Sequence, residues 1–368
     1  MKRIIVLGAT GSLGGSFLNA LRGIPSMRVI GLSCDKNTEK LGHLAIEFGA
    51  EAVANTKNSV DGPWDQFTGV EAPVWMIQAL RPDIVINAIS GINGLEPAMA
   101  ALRNHADLIM GCKEALVAAG PLLKKTALKY NTRIIPADSE HVATQLLLND
   151  ADGKIEKLIL TGTGGALRDM PVAQWHNASI DQVMTHPVWQ MGPKITVDSA
   201  TLMNKALEVI EAAWLFDLPV EKIETRINRS GTIHAALRLS DGRIMIHEAK
   251  PSMQAVANLI LTGRPWGRIV TGKKADLMMH GMTAVVPDSC ADLGHLALKE
   301  GGDASAILVG ADQAVVEAFL EKKLEFGNIR DILLESLTFS SKESPDSIDK
   351  VMRAFFVGYT FARLLIKR

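Results

Sequence analysis

Two short acidic segments hold the residue types and spacings best suited to chemistry. Pro136-Ala137-Asp138-Ser139-Glu140 closes an apolar run, and its carboxylates at i and i+2 would fall on one side of an extended segment. The second segment is Asp198-Ser199-Ala200-Thr201-Leu202-Met203-Asn204-Lys205-Ala206-Leu207-Glu208. It reads as part of one helix, Ser199–Trp214, on which Asn204, Lys205 and Glu208 share a face by i, i+3 and i, i+4 spacing. Three carboxylates suit a hard divalent cation. A Ser, an Asn and a Lys beside them suit a phosphate. Together they suit metal-assisted chemistry on a phosphorylated, oxygen-rich small molecule. Taken singly, acids at strand ends are also commonly solvated or cap the next helix.

The elements that must position these residues begin with a short buried strand over 3–7, followed by Gly8-Ala9-Thr10-Gly11-Ser12-Leu13-Gly14 and an amphipathic helix. In that context Gly8 makes the tight turn, Gly11 lets the backbone approach a pyrophosphate, and Gly14 lets helix and strand pack closely. The helix N-terminus would then face the anion. The same pattern also suits a glycine-rich turn with no ligand. Further strands are expected at Met27–Leu32, Asp83–Ala88 and Arg133–Pro136, with helices between, which is the alternation of a parallel doubly wound sheet. The second strand ends beside Asp35, Lys36 and Asn37. An acid there suits the ribose of NAD and a base suits the extra phosphate of NADP, so the residues leave the choice open.

Beyond the polar stretch 149–154, the segment Ile155–Leu160 reads as a strand that runs into Thr161-Gly162-Thr163-Gly164-Gly165, a second loop able to offer N–H and O–H donors to a phosphate. His186-Pro187-Val188-Trp189-Gln190-Met191-Gly192-Pro193-Lys194 has the composition of a lid that excludes water, and equally of a surface loop whose Trp packs on the core. Strands are expected at Ile223–Ile227, Thr232–Leu239 and Ile244–Glu248, residues 267–302 as irregular, and helices near 305–322, 327–337 and 345–366. The expected fold is therefore α/β: an N-terminal doubly wound dinucleotide-binding domain over 1–150, an α+β catalytic domain over 151–275, a linker over 276–303, and a C-terminal helical bundle over 304–368.

The 368 residues are enough for such a multidomain chain. A net charge of −1 gives no reason to expect nucleic acid or an anionic membrane as partner. Three scattered cysteines, Cys34, Cys112 and Cys290, fit a reducing compartment rather than a disulfide framework. The basic start breaks at Gly8, too soon for a secretory signal. A cytoplasmic enzyme is the expectation.

The Gly8–Gly14 loop, Lys113-Glu114-Ala115-Leu116-Val117, Asp138-Ser139-Glu140-His141, Thr161–Gly165, His186-Pro187-x-Trp189-x-Met191-Gly192-x-Lys194, Val197–Glu208 and Ala311–Leu320 occur in one order. That order resembles the 1-deoxy-D-xylulose 5-phosphate reductoisomerases of the non-mevalonate isoprenoid pathway, over nearly the whole chain. The resemblance implies NADP(H), Mg2+ or Mn2+, and a homodimer. It implies rearrangement of the substrate skeleton to a branched aldehyde phosphate, then reduction by NADPH to 2-C-methyl-D-erythritol 4-phosphate. It also implies roles. Asp138, Glu140 and Glu208 would hold the metal. Thr163, Ser199, Asn204 and Lys205 would bind the phosphate, and Ser139 the substrate hydroxyls. Lys113, Glu140 and His186 would be catalytic. His186, Trp189 and Met191 would belong to a closing loop, and His234 would line the site. Gly8, Thr10, Gly11, Ser12, Leu13, Lys36, Asn37 and Glu114 would contact the cofactor.

The chain departs from the family pattern at several supporting positions. Cys112 replaces an Asn, Asp35 a Gly, and Val142 an Asn. Asn228-Arg229-Ser230-Gly231 stands where the family has His-Pro-Gln-Ser. Met253-Gln254-Ala255-Val256-Ala257 replaces Met-Arg-x-Pro-Ile, and Asp312-Gln313 replaces Asn-Glu. Three functions fit: the reductoisomerase itself, a paralogous NAD(P)- and metal-dependent dehydrogenase or isomerase of another phosphorylated hydroxy-ketone or hydroxy-aldehyde, and a nucleotide-binding protein without catalysis.

Overall fold

A computed structural model describes residues 1–189, 191–286 and 289–367, and the chain divides into two compact units. The first comprises Met1–Leu116, Gly120–Asp138 and Ser252–Trp266. Its strands are β1 (Lys2–Leu7), β2 (Met27–Cys34), β3 (Ala52–Asn55), β4 (Asp65–Thr68), β5 (Ile84–Asn87), β6 (Asp107–Met110) and β7 (Ile134–Pro136). They form one parallel sheet in the order β4-β3-β2-β1-β5-β6-β7. The helices between them are α1 (Ser12–Leu21), α2 (Thr38–Phe48), α3 (Ala72–Leu80), α4 (Leu95–Arg103) and α5 (Lys113–Tyr130). Parallel strands covered on both faces read as continuous apolar runs, and β1 and β2 are buried over their last four and six residues. Phe17, Leu18 and Leu21 of α1 join Ile4, Val6 and Leu32 in this core. The strand order reverses between β1 and β5, so the crevice outside their carboxyl ends is the ligand position typical of such sheets.

The second unit comprises residues 117–119, 139–251 and 267–368. It opens with α6 (Ser139–Asp150), β8 (Ile155–Gly162), α7 (Ile180–Val183), α8 (Pro193–Thr201) and α9 (Met203–Phe216). Strands β9 (Ile223–Ile227), β10 (Ile233–Leu239) and β11 (Ile244–Glu248) follow. The chain then supplies the first unit with α10 (Met253–Thr262), whose Ala257 and Leu261 enter the core around α1. It re-enters the second unit with β12 (Arg268–Thr271), α11 (Lys273–His280), β13 (Thr283–Ala284), α12 (Leu293–Glu300), α13 (Ala304–Leu320), α14 (Ile329–Leu337) and α15 (Ile348–Ile366). The sheet order is β12-β11-β10-β8-β9-β13, mixed, with β8 and β9 parallel. In the helical C-terminal region Gly310 and Gly358 allow α13 and α15 to touch backbone to backbone: a Cβ on Gly358 would lie 2.1 Å from the Ile307 carbonyl oxygen.

The α/β class and the helical C-terminal region match the expectation; three details do not. The expected continuous helix over Ser199–Trp214 breaks at Leu202, whose φ is 63°. There the Thr201 hydroxyl donates to the Val197 and Asp198 carbonyls and accepts the Met203 N–H, competing with the helix's own bonds. Glu140 does not lie on an extended segment beside Asp138, because α6 begins at Ser139 and places Glu140 in its first turn, where the helix dipole favours an acid. Residues 267–302, expected to be irregular, hold β12, α11, β13 and α12, elements of two to eight residues too short for periodicity to show.

Candidate active site

In the first unit the Gly8 turn meets the strict steric requirement of a dinucleotide loop. Gly8 has φ 72°, and a Cβ there would lie 2.4 Å from the Ala88 carbonyl oxygen, just past β5. A Cβ on Gly14 would lie 2.3 Å from the Gly8 oxygen. At Gly11 the nearest atom would be that oxygen at 3.3 Å, and no side chain caps α1, so the N–H groups of its first turn, from Ser12 and Leu13 on, meet no capping side chain. This cradle fits a pyrophosphate. Thr10 accepts Lys40 Nζ at 3.0 Å through its carbonyl. Asp35 and Lys36 are exposed at the end of β2. The Asp35 carboxylate accepts the Thr56 hydroxyl at 2.7 Å, while Asn37 caps α2 by accepting the Lys40 N–H at 3.0 Å. Glu114 accepts the Gly91 N–H at 3.2 Å, and the Cys112 thiol donates to the Gly91 carbonyl at 2.9 Å. Val142 is buried in α6, and Gln254 lies in the first turn of α10.

Strands β6 and β7 pair Met110 with Pro136, which brings the residues following each strand together. Lys113, first in α5, thus lies 2.8 Å from the Asp138 carboxylate, with both side chains largely withdrawn from solvent.

The second unit gathers the remaining acids around Lys205. Its ammonium donates to Glu140 Oε1 at 3.2 Å, to the Thr161 carbonyl at 2.6 Å and to Glu208 Oε2. Asn204 Nδ2 donates to the other Glu208 oxygen, and Ser139 Oγ to Glu140 Oε2 at 2.6 Å. Glu208 is only 1% exposed and Lys205 5%. Carboxylates this deep require compensating positive charge. Oxygens of Glu140 and Glu208 lie within 4.8 Å of each other, so the pair offers hard oxygen ligands to a cation. The break at Leu202 matters here, since it starts α9 afresh and sets Asn204 and Lys205 in its first turn, where a helix favours an anion.

A second cluster surrounds Thr163. Its hydroxyl lies 3.2 Å from His186 Nε2. His186 Nδ1 accepts the N–H of Val188 at 3.2 Å and of Trp189 at 2.8 Å, which assigns the proton to Nε2 and makes Thr163 its acceptor. Burial first, and then the nearby Arg168 charge, lower the His186 pKa to about 4. A Cβ on Gly165 would lie 2.3 Å from the Ser199 carbonyl oxygen, so this loop packs directly on the end of α8. Trp189 and Met191 are half-buried, and Gln190 between them lies outside the described residues. His234 is buried in β10, its ring 6.0 Å from that of His247 in β11. Sequence reasoning missed Arg168, which bonds the Thr163 carbonyl; its one signal was a cation five residues beyond Thr163 in a loop already suited to phosphate.

Family models for 1-deoxy-D-xylulose 5-phosphate reductoisomerase match residues 4–120, and models of its C-terminal domains match 134–216 and 288–355. The reductoisomerase of Thermotoga maritima is 36% identical over 364 residues, covering 96% of this chain and 94% of the relative. The chain belongs to the 1-deoxy-D-xylulose 5-phosphate reductoisomerase family. The reductoisomerase of Clostridium tetani is 34% identical over 370 residues, covering 96% of each chain. A reductoisomerase crystallised with NADPH, fosmidomycin and magnesium matches with a TM-score of 0.89 at 29% identity, covering 100% of this chain and 98% of that one. The Zymomonas mobilis reductoisomerase in complex with NADPH gives 0.87 at 27% identity, covering 100% and 99%. Among the described residues of this family member, no helix is long and apolar enough to cross a membrane.

Proposed function

We propose that the protein converts 1-deoxy-D-xylulose 5-phosphate to 2-C-methyl-D-erythritol 4-phosphate, with NADPH as reductant and Mg2+ or Mn2+ bound. One observation carries the reading: in a chain of this family, Lys205, Glu140, Glu208 and Asn204 form one bonded cluster centred on the buried Lys205 and Glu208. When bound, the divalent cation supplies Lewis-acid polarisation of substrate oxygens, and NADPH supplies the hydride.

Asp138, Glu140 and Glu208 would hold the metal. The donor set fits, for Glu140 and Glu208 already share an ammonium and Asp138 has one in Lys113. Lys113 would stabilise negative charge developing on the substrate oxygens, and Ser139 would bind hydroxyls. Thr163, Ser199, Asn204 and Lys205 would hold the phosphate. His186, neutral, would keep Trp189 turned over the site and exclude water. Gly8, Thr10, Gly11, Ser12, Leu13 and Glu114 would hold NADPH. Lys36 would meet the 2′-phosphate, while Asn37 acts through its cap of α2. We place the protein in the cytoplasm as a homodimer, by analogy with the family and from three buried cysteines that form no disulfide.

A second reading is favoured by the turn Asn228–Gly231, which departs from the family and faces the Thr163 loop. A Cβ on Gly231 would lie 3.1 Å from Thr163 Cγ2 and 3.5 Å from Val188 Cγ1. An altered wall there would suit a paralogue acting on another phosphorylated hydroxy-carbonyl compound. A panel of sugar phosphates, assayed by NADPH oxidation, separates the two: turnover of another compound well above that of 1-deoxy-D-xylulose 5-phosphate would favour the paralogue.

A further inference from the structure

Arg168 sits where the Thr163 loop and the Asn228–Gly231 turn meet, and its guanidinium reaches both. One nitrogen donates to the Thr163 carbonyl at 3.1 Å and to the Arg229 carbonyl at 2.9 Å. The contact is reciprocal: Arg229 Nη2 donates to the Arg168 carbonyl at 3.0 Å and pairs with Asp169 at 2.7 Å. The Arg168 side chain is 20% exposed, against 60% for Arg229 and 67% for Asp169. Exposed contacts contribute little, so the weight rests on the part-buried bond of Arg168 to the Thr163 carbonyl, with the exposed bond to the Arg229 carbonyl tying that arginine to the turn.

The glycines make the clamp close. Gly164 has φ 90°, and a Cβ there would lie 2.9 Å from Arg168 Cβ, so the loop folds directly over the arginine stem. On the far side of the same loop Asn228 N–H donates to the Gly162 carbonyl at 2.8 Å, continuing the β8–β9 ladder. Thr163 is thus held between a backbone ladder on one side and a guanidinium on the other. The two N–H groups of one guanidinium nitrogen, carried on a long stem, serve the two carbonyls; the amide of a glutamine sits on a shorter stem and carries no charge.

We infer that Arg168 is a positioning residue, which clamps the Thr163 loop to the Asn228–Gly231 turn and so aims the Thr163 hydroxyl at substrate phosphate and at His186. The inference rests on the proposed reading of Thr163 as a phosphate ligand. Arg229 stands where the family pattern has a proline, so the reciprocal half of the clamp belongs to this chain's altered turn.

The test compares wild type, R168Q and R229A by steady-state kinetics with 1-deoxy-D-xylulose 5-phosphate and by hydrogen–deuterium exchange of residues 182–189. The clamp predicts that R168Q raises KM about tenfold or more with kcat within about threefold. It also predicts amide exchange at Val188 and Trp189 faster by about tenfold, because His186 loses its fixed partner. R229A, an exposed change that leaves the fold intact, should move both quantities in the same direction by less. Unchanged KM and unchanged exchange in both variants would overturn the clamp. If wild type does not turn over the substrate, the functional reading fails by itself and exchange alone decides: unaltered exchange in both variants overturns the clamp, and faster exchange sustains it.

Discussion

The imidazole Nδ1 of His186 accepts the backbone N–H of Trp189, three residues further along the same turn, at 2.8 Å. It accepts the Val188 N–H as well, so the turn carrying Trp189 is built on one ring nitrogen. That arrangement requires a neutral ring with its proton on Nε2, the atom facing Thr163. Protonating Nδ1 would turn an acceptor into a donor facing two other donors.

His186 should therefore give the protein a measurable pH dependence. Its pKa falls from the ordinary 6.5 to about 4, through burial first and then the Arg168 charge. The folded form then binds fewer protons than the unfolded chain between those values. Stability attached to this ring is complete above about 6.5, declines as pH falls through the window, and changes no further below about 4. Urea unfolding of wild type and His186→Asn at a series of pH values checks this. The difference in unfolding free energy between them should shrink as pH drops from 6.5 to 4; a flat difference would refute it.

Glu208 is buried and bonded to both Asn204 and Lys205. Glu208→Gln keeps the shape but removes one carboxylate of the proposed metal set. Turnover should drop on the order of 1,000-fold, and calorimetric titration with Mn2+ should show weakened binding, with the circular dichroism spectrum unchanged. Normal turnover in this variant would remove Glu208 from the metal set.

Lys205→Met would leave Glu140 and Glu208 close together without the shared ammonium. Breaking a buried ion cluster from one side costs about 3–5 kcal/mol. The apo variant should lose stability of that order in denaturant unfolding, and millimolar Mg2+ should restore part of it if these carboxylates bind the cation. Equal loss with and without Mg2+ would speak against the pair as ligands.

Gly8 in the nucleotide loop and Gly15 in the helix that follows it should respond oppositely to an added methyl group. Gly8→Ala meets both a positive φ and the Ala88 carbonyl, so NADPH binding and stability should both fall sharply. Gly15→Ala adds a methyl in α1 that meets no atom within 4 Å beyond its own stretch of helix, and should stabilise the protein by about 0.5–1 kcal/mol. Thermal unfolding of the two variants reads the contrast.

The elements legible in the sequence were those with continuous apolar runs or clear periodicity, such as β1, β9–β11 and the helices α13–α15. Strands β3, β4 and β6 are four residues each, and β4 is mostly exposed, so they lack such a signal. The break at Leu202 was hidden because Leu is an unremarkable helix former and the cause is a side-chain hydroxyl one residue earlier. The acidic segments were readable as a set because i, i+3 and i, i+4 spacings on α9 survive that break. The part of Arg168 was not readable, since its second acceptor is Arg229, 61 residues away in sequence and joined to it only by the fold.

The most direct measurement is NADPH oxidation at 340 nm by the purified protein with 1-deoxy-D-xylulose 5-phosphate and Mn2+. A reductoisomerase gives substrate-dependent oxidation that EDTA abolishes and that yields 2-C-methyl-D-erythritol 4-phosphate. No oxidation under conditions in which the Thermotoga maritima reductoisomerase is active would contradict that reading.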